Sequence, residues 1–95
     1  MTQREEKILT IVNSKGLHVR AATILAQTAS RFDAVVTVEH AGERANGKSI
    51  MNLLLLTASQ GTRVQVTTEG DDAEAAIAAI ADLVERGFYD DNEGD

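Results

Sequence analysis

The sequence predicts an α+β fold, an open-faced two-layer β-sandwich in which a four-stranded antiparallel sheet carries three helices on one face. Strand-type and helix-type segments follow one another in the order β-α-β-β-α-β-α. The links between them are too short for most parallel crossovers, which need about a dozen residues or more. At 95 residues the chain has room for one core, so we expect one layer of helices on one sheet.

The first half of the chain begins with a short β-branched run at residues 8–12, which predicts a buried strand. Residues 13–16 are of turn-forming types and follow it as a loop. Residues 19–29 are rich in alanine and predict an amphipathic helix that ends at Phe32 and Asp33. The apolar face of this helix consists of Ala22, Leu25, Ala26 and Ala29.

The middle of the chain predicts a hairpin followed by a compact helix. Residues 34–39 alternate as a strand, residues 40–42 form a turn, and residues 43–45 are a short partner strand. His40 is interpreted as a solvated residue of that turn. Ser49 is expected to cap a helix over residues 50–56, because serine oxygen accepts a hydrogen bond from the first helical turn.

The last two elements are a strand over residues 62–69 and a helix that opens after Gly70. Asp71 with Glu74 three residues later resembles a capping box. The apolar face of this helix consists of Ile77, Ile80, Ala81 and Val84, and Gly87 is well placed to end it. We therefore expect a single domain over 1–95, with an ordered core at about 5–88 and an acidic tail over 89–95.

Composition excludes several classes of function. The net charge is −6, whereas nonspecific nucleic-acid binding needs clustered Lys and Arg. Without cysteine the chain has no disulfide framework, Cys-based zinc site or thiol catalysis. Its start does not resemble a signal peptide, and its longest apolar run, residues 53–56, is too short to span a membrane. We expect a cytoplasmic monomer without a cofactor or a metal.

His18 is the residue most suggestive of chemistry, because it stands where a loop passes into the predicted first helix. Backbone N–H groups and the dipole at a helix start favour an anion and a neutral imidazole. A neutral imidazole has a lone pair and is a nucleophile. A phosphoryl group on His18 would find backbone donors there and the guanidinium of Arg20 two residues on. The alternative without a chemical role is that His18 is a capping or surface histidine.

Three segments resemble the phosphocarrier protein HPr family. Residues 16–22, Gly-Leu-His-Val-Arg-Ala-Ala, resemble its active-centre signature Gly-Leu-His-Ala-Arg-Pro-Ala. Residues 46–51, Asn-Gly-Lys-Ser-Ile-Met, look like the segment around its regulatory serine. Residues 57–62, Thr-Ala-Ser-Gln-Gly-Thr, look like its linker before the fourth strand. The resemblance covers residues 5–88, and the predicted element order agrees with the HPr-like fold.

The resemblance implies a carrier that takes a phosphoryl group from Enzyme I, charged by phosphoenolpyruvate, and passes it to EIIA components of the bacterial phosphotransferase system. It implies that His18 accepts the group on Nδ1 and that Arg20 stabilises the phosphohistidine. Ala21 stands where the family has proline. Alanine is an excellent helix former, so we expect the helix to survive, while the reach of Arg20 depends on the start of the helix.

The resemblance also implies a regulatory role for Ser49, since many members are phosphorylated at this serine by an ATP-dependent HPr kinase/phosphorylase. The alternative function is therefore a regulatory docking module that works through Ser49 with little carrier activity. Leu17, Ile50, Met51 and Leu54 are the candidate docking residues. An apolar surface around the histidine suits a carrier with several partners, and methionine adapts to different ones. Whether the chain serves sugar uptake or a nitrogen-related branch stays open.

Residues 42–49 also satisfy the P-loop pattern Gly-x-x-x-x-Gly-Lys-Ser. A nucleotide-binding P-loop belongs to a parallel sheet, and too few residues remain after Ser49 to build one. Glu43 would also direct a carboxylate at the phosphates. We therefore treat a P-loop nucleotide binder as a weak second alternative.

Overall fold

The computed structural model describes residues 3–89 and contains the elements in the predicted order. The first helix has the predicted bounds, and the other predicted elements are confirmed with small shifts at their ends, apart from the first strand. The elements are β1 Gln3–Thr10, α1 Val19–Ala29, β2 Val35–His40, β3 Glu43–Asn46, α2 Ile50–Leu55, β4 Arg63–Gly70 and α3 Ala73–Glu85, followed by a 3₁₀ turn at Gly87–Tyr89.

The four strands form one antiparallel sheet in the order β1-β4-β2-β3. In this register Leu9 lies opposite Val64, and Val38 lies between Val66 and Ala45. All five side chains are buried, because they point to the face of the sheet that the helices cover. The predicted α+β open-faced sandwich with three helices is confirmed.

The helices contribute small side chains to the core. The face predicted for α1 is buried, and so is that of α3. Leu53 of α2 and its C-cap residue Leu56 are buried and form the side of this short helix that packs inward. The prevalence of alanine lets α3 pack close to β1, β4 and α1.

The opposite face of the sheet is open, and this corrects the prediction for the first strand. Ile8 and Val35 are 63% and 62% exposed, so β1 is not buried on both faces as residues 8–12 suggested. It also begins at Gln3, because an edge strand with one open face accommodates the charged residues that precede Ile8. His40 ends β2 and is partly buried, so its interpretation as a solvated turn residue is wrong.

The start of α3 differs from the predicted capping box. The N-cap is Asp72, whose side chain makes no capping bond to its own helix. Its carboxylate instead accepts hydrogen bonds from the backbone N–H groups of Asp33, at 2.9 Å, and Ala34, at 2.8 Å. Asp72 thereby joins α3 to the connection between α1 and β2, a contact that sequence spacing does not reveal.

The chain after α3 is ordered by a glycine and a buried aromatic. Gly87 has φ +67° and directly follows the C-cap, as predicted. Phe88 is buried, and Tyr89 belongs to the same 3₁₀ turn. Of the predicted acidic tail over 89–95, residues 90–95 lie outside the described part of the chain.

Asp72 is expected to make stability depend on pH in the acid range. The hydrogen bond from the Asp33 N–H, the bond from Ala34 and the charge of Lys48 hold the pKa of Asp72 below its ordinary value of 3.8. A lowered folded-state pKa means that the contribution is complete above pH 3.8 and is lost as pH falls through the folded-state pKa. Urea unfolding at neutral and acidic pH should show Asp72→Asn losing stability at pH 7 and approaching the parent below pH 3.8.

The control for this prediction is Asp71→Asn, which removes a charge from the exposed neighbouring residue. It should leave the acid dependence of the parent in place. A stability difference between the parent and Asp72→Asn that stays constant from pH 7 to pH 3 would contradict the prediction.

Candidate functional site

His18 is the N-cap of α1, with extended backbone angles of φ −83° and ψ −177°. Its Nδ1 accepts a hydrogen bond from the backbone N–H of Arg20 at 3.3 Å, and its carbonyl accepts one from the N–H of Ala22 at 2.8 Å. The accepting Nδ1 places the proton of a neutral ring on Nε2. The side chain is partly buried, so His18 combines a fixed backbone with a ring that reaches solvent.

The loop before His18 is held against the segment that follows α2. Gly16 has φ +65°, and a Cβ there would lie 2.5 Å from the carbonyl oxygen of Ala58. The N–H of Leu17 donates to that same oxygen at 2.8 Å, and the N–H of His18 donates to the carbonyl of Gly16 at 2.9 Å. Glycine at 16 is therefore required by both the left-handed backbone and the close approach.

Asn13 is a residue of this site that sequence analysis missed. Its side chain is 3% exposed, and its Nδ2 donates to the carbonyl oxygen of Gly16 at 2.8 Å. Asparagine is common in turns, so the sequence pattern indicated a loop and gave no sign of burial. A polar side chain buried at this depth needs hydrogen bonds, and the one to Gly16 directs it at the His18 loop.

The start of α1 forms as a regular helix with alanine at position 21. Ala21 is fully buried, and the helix begins at Val19 as predicted. No acidic side chain lies in the first turn of α1, all of which the structure describes. Arg20 is exposed in that turn. The local field at His18 therefore favours an added negative charge, by roughly 0.3–1 kcal/mol at an exposed helix end.

Ser49 caps α2, as predicted. Its Oγ accepts a hydrogen bond from the N–H of Asn52 at 3.2 Å, and its own N–H donates to the carbonyl of Asn46 at 3.0 Å. Ser49 is partly buried and lines a groove of about 440 Å³ between α1 and α2, together with Lys48, Met51 and Ser30.

The outer face of α2 is apolar and exposed. Met51 is 72% exposed, Ile50 is exposed, and Leu54 is partly buried against the core. Leu55, at 74%, extends this face and was missed, although its position four residues after Met51 places both on one side of a helix. Leu17 is 5% exposed and packs in the core, so the prediction that its side chain docks a partner is wrong.

The two ends of α2 have different relations to His18. Ala58, which bonds to Leu17, follows the C-cap of α2 by two residues, so Leu54 and Leu55 lie at the end next to the His18 loop. Ser49 stands at the other end, and a helix of six residues is about 9 Å long. Ser49 therefore lies about one helix length from the end of α2 that adjoins the His18 loop.

The P-loop alternative does not fit the structure. Residues 43–46 form strand β3, which pairs antiparallel with β2, whereas a P-loop wraps a phosphate as a loop. The Nζ of Lys48 donates to the carbonyl of Phe32 at 2.7 Å. Among residues 3–89, no group of three or more potential ligands could hold a metal ion. None of the helices in that range is long and apolar enough to span a membrane.

Comparisons with known proteins agree with the fold. The family model described as PTS HPr component phosphorylation site matches residues 5–86. The phosphocarrier protein HPr of Xylella fastidiosa strain Temecula1 is 43% identical over 86 residues, which cover 90% of this chain and 97% of the relative. The phosphocarrier protein NPr of Shewanella violacea is 42% identical over 88 residues, with 93% and 96% covered.

Solved structures give the same assignment. A crystal structure of HPr from Thermoanaerobacter tengcongensis has a TM-score of 0.86 and 44% identity, and the match covers 88% of this chain and 94% of that one. An HPr dimer from the same organism has a TM-score of 0.72 and 45% identity, with 84% and 92% covered. This chain belongs to the HPr family of phosphocarrier proteins of the phosphotransferase system.

Proposed function

We propose that His18 accepts a phosphoryl group from phosphorylated Enzyme I and passes it to EIIA-type proteins. The observation that carries the proposal is the position of the imidazole as the N-cap of α1, with Nδ1 directed at the Arg20 N–H. At 3.3 Å this hydrogen bond is longer than the usual range for N–H donors. The ring can therefore turn its lone pair toward phosphorus at little cost.

The transfer itself conserves atoms and electrons without a further reactant. The Nδ1 lone pair of His18 forms a bond to phosphorus, and the bond between phosphorus and the donor's carrier atom breaks, its electron pair leaving with the donor. A phosphoryl oxygen then takes the place of Nδ1 as acceptor for the first-turn N–H groups of α1. Arg20 stabilises the new charge, and the forward transfer to an acceptor reverses these steps.

The partners are proposed to dock on the outer face of α2, formed by Ile50, Met51, Leu54 and Leu55. Its support is the exposure of Ile50, Met51 and Leu55 and the position of Leu54 and Leu55 at the end of α2 next to the His18 loop. A carrier must bind a donor and then unlike acceptors, and an adaptable apolar surface serves both. The mechanism needs one copy of the chain, because His18, Arg20 and α2 come from the same copy.

The test of the carrier proposal is incubation with Enzyme I and phosphoenolpyruvate, followed by location of the phosphate. One acid-labile phosphate per chain on His18 is expected. Phosphate on another residue, or none, would overturn the proposal.

We also propose that phosphorylation of Ser49, by an HPr kinase/phosphorylase type of enzyme, regulates docking. The support is the placement of Ser49 at the edge of the groove that Met51 and Ile50 line. A phosphate adds about −1.5 to −2 charges, and over about 9 Å that charge is only partly screened at physiological salt. It would repel an acidic partner surface while favouring the N-terminus of α2.

Ser49→Asp is expected to keep the melting temperature of the parent and to slow phosphate transfer from Enzyme I to His18. Ser49→Ala should do the reverse, losing about 1 kcal/mol of capping free energy while transferring at a near-normal rate. Thermal unfolding and the transfer rate, measured on the same pair of variants, separate the two roles. Transfer by Ser49→Asp at the parent rate would show that Ser49 is only a helix cap.

A further inference from the structure

Asn13 acts on the same carbonyl that holds the backbone of His18. The carbonyl oxygen of Gly16 accepts the Nδ2 of Asn13 at 2.8 Å and the N–H of His18 at 2.9 Å. The N–H of Gly16 donates back to the carbonyl of Asn13 at 3.1 Å. Asn13 and Gly16 are therefore joined by two hydrogen bonds. The backbone N–H of His18 donates to the same Gly16 carbonyl oxygen as the Asn13 amide.

The surroundings of Asn13 keep its amide in that orientation. The side chain is 3% exposed, so water cannot easily replace the bond to Gly16. The Cβ of Asn13 also lies near Gly87, since a Cβ built at Gly87 would stand 3.6 Å from it, at van der Waals distance. A buried amide confined in this way acts as a fixed donor.

Without the bond from Asn13, the residue type at position 16 would leave the direction of the Gly16 carbonyl open. Gly16 has φ +65°, and glycine permits a wide range of backbone conformations. The required glycine therefore makes the loop compliant at the residue that supports the His18 N–H. A second donor on its carbonyl removes that freedom.

We propose that Asn13 is a positioning residue for phosphoryl transfer, which sets the orientation of the His18 imidazole through the Gly16 carbonyl. This rests on the proposed function of His18 as the phosphoryl acceptor. Asn13 is 3% exposed and is not among the exposed side chains of α2 proposed to dock the partner, so it affects the rate of transfer within the complex and not the binding of the partner. A misplacement of about 1 Å at a reacting group can cost about a hundredfold in rate.

The experiment compares Asn13→Ala and Asn13→Asp with the matched control Thr68→Val. Both Asn13 variants remove the donor to Gly16, and the aspartate nearly keeps the size of the side chain. Thr68 is also a buried polar residue, and its Oγ1 donates to the carbonyl of Ala73 at 2.8 Å. It lies near the C-terminal end of β4. All three variants are expected to lower the melting temperature. Their folded forms are studied well below it.

Two measurements separate positioning from stability. In transfer from Enzyme I, both Asn13 variants should lower kcat by roughly ten- to a hundredfold with KM unchanged, and Thr68→Val should match the parent. In NMR spectra without any partner, the Arg20 amide and the His18 ring signals should shift in both Asn13 variants and stay in place in Thr68→Val.

The outcomes distinguish this inference from the carrier proposal. If the parent accepts no phosphate but the Arg20 and His18 signals move, Asn13 orients the His18 ring and it is the carrier proposal that fails. If the parent accepts phosphate and the Asn13 variants match Thr68→Val in both measurements, Asn13 is only a structural residue. A rise in KM without a fall in kcat would also overturn the positioning role.

Discussion

His18→Ala is expected to abolish phosphate acceptance from Enzyme I completely, because it removes the nucleophilic nitrogen. The fold should survive the change. The imidazole caps α1 through a long bond from the Arg20 N–H, and loss of an N-cap side chain costs about 0.5–2 kcal/mol. The measurement is the stoichiometry of acid-labile phosphate, with circular dichroism and thermal unfolding on the same samples.

Two further variants show whether phosphate acceptance is lost because the His18 nucleophile is missing. His18→Asn restores an N-cap acceptor without a nucleophilic imidazole, so it should regain the lost stability and still accept no phosphate. His40→Ala removes the other histidine, which ends β2 and faces the Arg63 carbonyl at 3.4 Å. It should accept phosphate like the parent. Label that survives in His18→Ala would remove His18 from the mechanism.

The features that sequence predicted well depend on local order. The bounds of α1 follow from a run of alanines at helical spacing and a loop that stops at His18. The cap at Ser49 follows from a serine directly before an apolar helical run. In both cases the residues that form the contact lie within four positions of each other, so their spacing carries the information.

The features that sequence missed depend on partners distant in the chain. Asp72 binds backbone groups 38 and 39 residues away, and the nearer pair Asp71 and Glu74 offered a false local alternative. Leu17 is buried because its backbone bonds to Ala58, although its neighbour His18 reaches solvent. Tertiary contacts decide these cases, and one sequence does not contain their geometry.

Asn13 and Leu55 were missed for a different reason. Each residue type has an ordinary interpretation that gives no hint of a role, a turn for asparagine and a core for leucine. The structure reverses both expectations, with Asn13 buried and Leu55 exposed. The residues that only the structure could add to the site are therefore a polar side chain that is buried and an apolar side chain that is exposed.

Gly16→Ala is expected to give the second-largest effect, on both stability and transfer. A non-glycine residue in the left-handed conformation costs roughly 1–2 kcal/mol, and Gly16 has φ +65°. The new Cβ would also stand 2.5 Å from the Ala58 carbonyl oxygen and 2.9 Å from the Ser59 Cα. Both contacts are with backbone, so the loop must shift, at a further cost of about 1–3 kcal/mol.

The matched control is Gly42→Ala in the turn between β2 and β3. Gly42 has φ +83°, and a Cβ there meets no atom within 4 Å, so this variant carries the conformational cost alone. For a domain of this size each 1 kcal/mol lowers the melting temperature by roughly 4–8 °C. Gly16→Ala should therefore melt well below Gly42→Ala.

The transfer rate separates the two glycines further. The shift forced on residue 16 moves the carbonyl that holds the His18 N–H and weakens the bond from Leu17 to Ala58. Gly16→Ala should accept phosphate far more slowly at a temperature where it is fully folded, and Gly42→Ala should match the parent. Equal melting temperatures for the two variants would show that the loop yields without cost. Normal transfer by Gly16→Ala would show that the imidazole finds its orientation independently of the loop that precedes it.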